Sequence, residues 1–116
     1  MKFELPWPPS VNHYWRRVGS RTLISKEGRL FRKRVVAMLS VHRSEPLTGR
    51  LHVLVFAHPP DRRRRDLDNI TKALLDALEH CGVYEDDSQI DRLVIERGEV
   101  FKGGKAVVEI TEVHSS

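Results

Sequence analysis

Cysteine and long apolar runs are scarce in this chain of 116 residues. Its one cysteine, Cys81, excludes an internal disulfide framework and a cysteine-based zinc site. No stretch approaches the roughly 18 apolar residues of a membrane span, and Met1–Glu4 does not open a signal peptide. Internal repeats, low-complexity tracts and linkers are also missing. We therefore expect a single cytoplasmic domain over residues 1–116, with one hydrophobic core and no membrane association.

Histidine and aromatic residues give only weak functional signals. The six histidines show no metal-ligand spacing, so neither a histidine metal site nor a catalytic histidine is expected. Trp7, Tyr14 and Trp15 could stack on nucleic-acid bases. Aromatic side chains around a proline-rich turn are more often packing, and both interpretations stay open.

Charge is distributed unevenly along the chain. Residues 1–65 carry 15 Lys and Arg against 4 Asp and Glu, a balance of +11. Residues 66–116 carry 5 against 12, a balance of −7, and the two halves sum to the net +4. Such polarity favours a polyanionic partner that meets the first half, and nucleic acid is the obvious candidate.

The first half of the chain predicts a strand, an irregular passage and a helix. Phe3–Leu5 can form a short strand, and the prolines that follow force an extended path to Asn12. Ser25 is a plausible N-cap for a helix that runs to about His42, although Gly28 makes its first turn uncertain. The apolar stripe of this helix comprises Phe31, Val35, Met38, Leu39 and His42.

The second half predicts a buried strand, a helix and a pair of strands. Leu51–Ala57 is apolar on almost both faces and indicates an interior strand. A helix should begin near Asp68 or Asn69 and stop at Gly82. Its buried stripe comprises Ile70, Leu74, Ala77, Leu78 and Cys81. Strands at about 92–100 and 106–113 flank Gly103-Gly104, which suits a tight hairpin turn, although glycines between lysines can also cradle phosphate. The fold class is α+β, a mixed, largely antiparallel sheet with two helices packed on it.

Arginines and carboxylates are concentrated within residues 61–87. Four consecutive arginines precede Asp66-Leu67-Asp68, and Lys72 and Glu85-Asp86-Asp87 follow. Guanidinium groups attract phosphate. Clustered carboxylates repel phosphate unless a hard cation such as Mg²⁺ lies between them. The combination predicts a metal-dependent nuclease site.

Spacing suggests how this site would assemble. If Asp66-Leu67-Asp68 is extended, both carboxylates fall on one side and Leu67 enters the core. Lys72, four residues after Asp68, should share its helical face. Asp87 follows the same helix and would have to return through the next strand, beside the Asp66–Asp68 segment.

Each motif also has a structural explanation. Asp68 can simply cap a helix, Asp86-Asp87-Ser88 can be a polar turn, and Arg62–Arg65 can be a solvated run. Their coincidence in a chain with a basic first half favours the metal site.

Several motifs together resemble the RusA-type Holliday-junction resolvases, and the likeness covers nearly the whole chain. It rests on Leu5–Asn12, Pro60–Asn69, Lys72, Asp76–Leu78, Gly82, Asp86-Asp87 and Lys102–Gly104. The resemblance implies a homodimer that binds four-way DNA junctions and nicks two strands symmetrically with Mg²⁺. Its catalytic carboxylates, which are also the metal ligands, fall on Asp66, Asp68 and Asp87, and its essential lysine falls on Lys72. Glu85 departs from the family pattern, where an apolar residue is more usual.

Phosphodiester hydrolysis in DNA recombination and repair is therefore the expected activity, with no small-molecule cofactor. The residues expected to grip DNA phosphates are Arg62, Arg63, Arg64, Arg65, Arg29, Arg32 and Lys33. Two alternatives remain: a metal-free nucleic-acid binding protein such as a transcriptional regulator, and a catalytically inactive junction binder of the same fold.

Overall fold

The computed structural model describes residues 1–39 and 45–113, which form a sheet with helices on one face. The strands are β1 (Lys2–Pro6), β2 (Trp15–Val18), β3 (Arg21–Ile24), β4 (Arg50–His58), β5 (Ile90–Arg97) and β6 (Lys105–Val113). The helices are α1 (Val11–Tyr14), α2 (Lys26–Leu39) and α3 (Asp68–His80), and a short 3₁₀ helix covers Asp87–Gln89.

Four strands form the main sheet in the order β1-β6-β4-β5. β6 pairs antiparallel with β1 and with β4, whereas β5 pairs parallel with β4, so that Val53 lies between Ile110 and Leu93. Side chains alternate along β4, and Leu51, Val53, Val55 and Ala57 are buried against the helices. The expected α+β class, the largely antiparallel sheet and the interior strand are confirmed.

The expected hairpin at Gly103-Gly104 is wrong. β5 and β6 are not neighbours, because β4 lies between them and pairs with both. The glycines still form a turn, with φ of +87° and +74°. A turn signal of this kind fixes a local reversal, but it does not determine which strands pair across the sheet.

α2 begins as its sequence predicts. The Ser25 hydroxyl oxygen accepts a hydrogen bond from the Gly28 backbone N–H at 2.9 Å. A Cβ at Gly28 would lie 2.5 Å from the Tyr14 carbonyl oxygen, so glycine permits close packing there. Phe31, Val35 and Leu39 are buried. Met38 is 44% exposed, so its assignment to the buried stripe is wrong, and His42 lies outside the described residues.

α3 carries the buried stripe that its periodicity predicts. Ile70, Leu74, Ala77 and Leu78 are all buried, whereas Cys81 is only half-buried after the helix end. Gly82, with φ +78°, reverses the chain there as expected. The helix begins at Asp68 as expected, but neither Asp68 nor Asn69 caps it, because Leu67 occupies the N-cap position and no side chain caps this end.

β2 and β3 form a separate antiparallel hairpin that was not expected from the sequence. Gly19, with φ +63°, makes its turn. Three arginines interrupt the alternation of apolar residues there, which removes the usual strand signal; they are Arg16, Arg17 and Arg21. Among the described residues, no helix has both the length and the apolar character needed to cross a membrane.

Candidate active site

Asp66 and Asp68 face different cavities. Leu67 has helical backbone angles, φ −63° and ψ −33°, and Asp68 is the first residue of α3. The Asn69 N–H donates to the Asp66 carbonyl oxygen at 3.2 Å, which winds this segment into a turn. The expected extended conformation is therefore wrong, and Leu67 is half-buried rather than part of the core.

One cavity of about 560 Å³ brings together Asp68, Lys72 and Asp87. Its other lining residues are Leu67, Thr71, Leu75, Leu93 and Ile95. Asp68 and Lys72 lie one helical turn apart and face the same side, as their spacing predicts. We name this space the Asp68 cavity. Two carboxylates and an ammonium group above an apolar floor can together hold a cation and a phosphate.

Asp87 reaches this cavity through the turn that precedes β5. After Gly82 the chain doubles back along α3, and the Asp87 N–H donates to Glu79 Oε1 at 3.0 Å. The expected return through a strand beside Asp66–Asp68 is wrong, because the left-handed glycine reverses the chain earlier, and β5 runs along β4 instead.

Tyr84 fixes the orientation of Asp87. Its side chain is 1% exposed, and its hydroxyl lies 2.7 Å from Asp87 Oδ1 and 2.8 Å from the Leu75 carbonyl oxygen. Burial, and then the hydrogen bond with Asp87, raises the pKa of Tyr84 far above its usual value. Tyr84 therefore stays protonated and can donate to the carboxylate.

The neighbouring acids have other roles. Asp86 caps the 3₁₀ helix by accepting from the Ser88 N–H at 2.8 Å, and this bond lowers the pKa of Asp86. The side-chain oxygen of Gln89 accepts from the N–H groups of Glu85 and Asp86, each at 2.8 Å. Neither acid lines the Asp68 cavity.

Asp66 lines a second cavity of about 610 Å³, on the other side of Leu67. The residues around it are Trp7, Pro8, Pro9, Ser10, His13, Arg64, Arg65, Asp66, Asn69 and Ile70. We name it the Trp7 cavity. The structure thus places three of the four expected catalytic residues together and the fourth next to them. Within residues 1–39 and 45–113, no three His, Cys, Asp or Glu side chains gather as a metal-holding group.

The four consecutive arginines divide into two groups. Arg62, Arg63 and Arg64 are exposed, whereas Arg65 is half-buried. Arg65 Nη1 donates to Asp61 Oδ1 at 2.6 Å, and the Arg65 guanidinium lies 6.0 Å from the centre of the Trp7 ring. The first three are available to phosphate, and of these Arg64 also lines the Trp7 cavity together with Arg65.

The basic residues of α2 also differ from one another. Arg29 and Lys33 are exposed, and Arg29 donates to the Ile24 carbonyl oxygen at 3.1 Å. Arg32 instead forms a salt bridge with Asp76 at 2.7 Å and a hydrogen bond to Tyr14 at 2.9 Å. These bonds raise the pKa of Arg32 although partial burial opposes the change. Arg32 joins α2 to α3 and α1, and this leaves it less free to meet phosphate.

The β2–β3 hairpin adds a basic element that the sequence analysis did not predict. Arg16, Arg17 and Arg21 are exposed on it, and residues 15–24 contain no acid. The hairpin directly follows α1, whose His13 lines the Trp7 cavity. The signal available in the sequence was Gly19-Ser20 between short runs rich in arginine and β-branched residues.

Comparison with known proteins identifies the family of the chain. The family model described as Endodeoxyribonuclease RusA matches residues 6–111. The chain is 47% identical over 115 residues to a crossover junction endodeoxyribonuclease of Enterobacteria phage HK97, covering 98% of this chain and 96% of that protein. It is similar to proteins of the same name from Shigella sonnei (43% identical over 114 residues) and Enterobacteria phage 82 (42% over 114), each covering 94% of this chain and 92% of the relative. The chain therefore belongs to the RusA family of endodeoxyribonucleases.

Proposed function

We propose that this protein is a Mg²⁺-dependent endodeoxyribonuclease that resolves four-way DNA junctions by paired symmetric nicks. Family membership supports the class of reaction, and the named relatives are crossover junction endodeoxyribonucleases. The observation that carries the proposal for this chain is that Asp68, Lys72 and Asp87 line one cavity. A protein that only bound junctions would have no use for that acid pair.

The donor set of the Asp68 cavity fits Mg²⁺. This ion takes oxygen ligands, and proteins commonly hold it with one or two carboxylates while water and substrate phosphate fill its other positions. Asp68 and Asp87 provide such a pair. Asp66 is the third proposed ligand; it lies two residues from Asp68, so their Cα atoms are within about 7 Å. Side-chain rotation could therefore bring Asp66 towards the same cation.

The proposed reaction is hydrolysis of a phosphodiester bond. Mg²⁺, when bound, would make a water molecule more acidic and offset negative charge on the phosphate. Lys72 stabilises the additional charge of the pentacovalent phosphorus. Tyr84 holds Asp87 in a fixed orientation, which reduces the rearrangement that binding requires.

Exposed arginines and lysines around the two cavities would hold the DNA backbone. These residues are Arg62, Arg63, Arg64, Arg29, Lys33, Arg16, Arg17 and Arg21. Contacts of this kind position phosphates and do not read sequence. Arg65 contributes through the Trp7 cavity, and Arg32 supports the helices that present these groups.

Two nicks require two sites, whereas each chain has a single Asp68 cavity. A homodimer with two-fold symmetry would present two cavities to a junction of the same symmetry. Mixed dimers of wild-type and Asp68→Asn chains should then nick one strand and rarely complete resolution. If light scattering shows a monomer under cleavage conditions, the proposed homodimer is contradicted.

The decisive experiment compares Asp68→Asn with Asp91→Asn on a synthetic four-way junction. Asp91 lies on β5, pairs with Arg50 on the exposed surface and does not line the Asp68 cavity, so it is a matched control. Asp68→Asn should lower Mg²⁺-dependent cleavage by orders of magnitude, while junction binding in EDTA persists or tightens. Asp91→Asn should cleave at close to the wild-type rate.

Other results would identify the alternatives. A wild-type protein that binds junctions but never cleaves them would be an inactive junction binder. A protein that binds linear duplex equally well at high salt would be a general nucleic-acid binding protein. Wild-type rates in Asp68→Asn would show that the active site has been misassigned.

A further inference from the structure

Apart from Asp66, the third proposed metal ligand, the residues of the Trp7 cavity have no assigned part in the proposed hydrolysis. Its volume of about 610 Å³ lies within the range of about 300–1,000 Å³ that is typical of small-molecule sites. Its lining combines an indole ring, arginines, proline rings and a side-chain amide. This mixture suits a flat, polar-edged group such as a nucleobase.

The aromatic wall of the cavity is held in place from behind. A Cβ at Gly104 would lie 2.7 Å from the Trp7 Cβ and 3.1 Å from Pro60 Cδ, so glycine allows the turn to pack tightly there. In front, the Arg65 guanidinium lies over the Trp7 ring. The turn at Gly104 thus fixes the position of Trp7, and Arg65 is its neighbour in the cavity, which lowers the entropic cost of binding a ring beside the two groups.

Arg65 is itself restrained by two contacts. Its guanidinium donates to Asp61 Oδ1 at 2.6 Å, and its carbonyl oxygen accepts from Arg97 Nη2 at 2.7 Å. Guanidinium and indole groups are both planar surfaces on which unstacked bases commonly lie. The cavity thus offers a fixed stacking surface rather than a mobile one.

Asn69 supplies a polar group at the same cavity. Its side-chain amide is half-buried and makes no hydrogen bond with the residues that the structure describes. An amide offers both a donor and an acceptor, the combination that recognises the edge of a base. Asn69 is therefore available to distinguish one base from another.

The two cavities lie next to each other in the chain segment Asp66–Asp68. Asp66 lines one and Asp68 the other, and their Cα atoms lie within about 7 Å. Successive phosphates of one strand advance by about 3.4 Å along a duplex axis. A strand with its scissile phosphate in the Asp68 cavity therefore brings a neighbouring nucleotide to the Trp7 cavity.

We infer that the Trp7 cavity binds the base of a nucleotide next to the scissile phosphate, and that Asn69 helps to select the sequence at which the junction is cut. The inference rests on the proposed function for the location of the scissile phosphate. Trp7 and Arg65 provide the stacking surface, and the exposed arginines hold the backbone without selecting sequence.

The test pairs Trp7→Leu with removal of the base. A synthetic junction with an abasic nucleotide beside the cut site is compared with the intact junction, for both wild-type and variant protein. Each single change should lower cleavage by about ten-fold or more, the usual effect of one base–aromatic stack. The two changes together should lower the cleavage rate little more than either change alone, because they remove the same stacking interaction.

Controls separate folding from recognition. Phe101→Leu removes another aromatic ring, 48% exposed and outside the cavity, and its effect should be independent of the abasic nucleotide. Trp7→Phe should retain most of the activity that Trp7→Leu loses. The affinity of each protein for each junction is also measured in EDTA, where binding can be followed without cleavage.

Asn69→Ala tests selection on a junction whose crossover can migrate. The wild-type protein should cut at a few positions, and the variant should spread its cuts over more positions. Additive losses in both cleavage and affinity, or an unchanged cut pattern in Asn69→Ala, would overturn the inference. A wild-type protein that binds but does not cleave would instead overturn the proposed function.

Discussion

The hydroxyl of Tyr84 lies 2.7 Å from Oδ1 of Asp87, and it couples the hydrophobic core to the acid pair of the Asp68 cavity. Tyr84 is buried and also reaches the Leu75 carbonyl oxygen on α3. Asp87 is consequently held by a group that packing prevents from moving far.

Tyr84→Phe should therefore weaken metal use more than it weakens the fold. Loss of one hydrogen bond should lower the free energy of unfolding by about 1 kcal/mol. The Mg²⁺ concentration for half-maximal cleavage should rise several-fold, because Asp87 is no longer fixed in orientation. Tyr14→Phe is a matched control, since the Tyr14 hydroxyl bonds Asp76 outside the Asp68 cavity. An equal shift in Mg²⁺ requirement in both variants would contradict this role.

Lys72→Ala separates a surface residue from a catalytic one. An exposed helical lysine contributes only tenths of a kcal/mol to stability. If Lys72 stabilises the transition state, its removal should lower the cleavage rate by about 10²–10³-fold. Single-turnover cleavage and thermal unfolding measure the two effects. Lys102→Ala, in the exposed turn before β6, is the control. If Lys72→Ala cleaves junctions as fast as Lys102→Ala does, Lys72 has only a surface role.

Gly104→Ala should disturb Trp7, whereas Gly103→Ala should not. Both glycines have positive φ, so either substitution strains the backbone by about 1 kcal/mol or more. At Gly104 the new Cβ would also lie 2.7 Å from Trp7 Cβ, while at Gly103 nothing lies within 4 Å. Thermal unfolding should show a larger destabilisation for Gly104→Ala, accompanied by a change in tryptophan fluorescence. Identical behaviour of the two variants would show that the close approach to Trp7 does not matter.

The Asp61–Arg65 pair should persist to low pH. The hydrogen bond from the Arg65 side chain, followed by that from the Arg63 backbone, lowers the pKa of Asp61 from 3.8 to about 2. Because the folded-state pKa is depressed, its stabilising effect is present above about pH 4 and is lost as the pH falls towards 2. Carboxyl NMR titration measures the midpoint directly. Arg65→Gln should return the midpoint towards 3.8, and an unchanged midpoint would exclude Arg65 as the main cause.

Neutralising the exposed arginines should weaken binding to all junction sequences alike. Removing one arginine that binds a phosphate, whether among Arg62–Arg64 or on the β2–β3 hairpin, should reduce the slope of log affinity against log salt by about one unit. Arg50→Gln is the control, because Asp91 and the Ser88 carbonyl already engage that guanidinium. A change in cut-site preference with an unchanged slope would mean that the substituted arginines read bases.

Local signals predicted much of the fold. The stripe from Ile70 to Leu78 and the left-handed Gly82 define α3, and Ser25 defines the start of α2. Met38 fits the same helical period as Leu39 but lies at the edge of the stripe, where the packed sheet no longer covers it. Periodicity gives the direction of a side chain and does not give the width of the surface that buries it.

Long-range pairing could not be predicted in the same way. Gly103-Gly104 indicates a turn, yet the insertion of β4 between β5 and β6 depends on contacts between distant parts of the chain. At the site, the shared face of Asp68 and Lys72 follows from one helical turn. The separation of Asp66 from Asp68 depends on the helical angles of Leu67, which the alternating pattern of acids concealed.

The pairing of β1 with β6 has a consequence for biosynthesis. Lys2 lies opposite Glu109 and Pro6 opposite Lys105, so β1 leaves the ribosome before β6 and cannot join the sheet until β6 has followed. Synthesis proceeds at about 5–20 residues per second, which makes this delay several seconds. The Asp68 cavity is lined in part by residues of β5. Trp7, directly after β1, packs against the turn at Gly104, which is synthesised after β5. A nascent chain should thus complete its acid site first and its tryptophan wall afterwards.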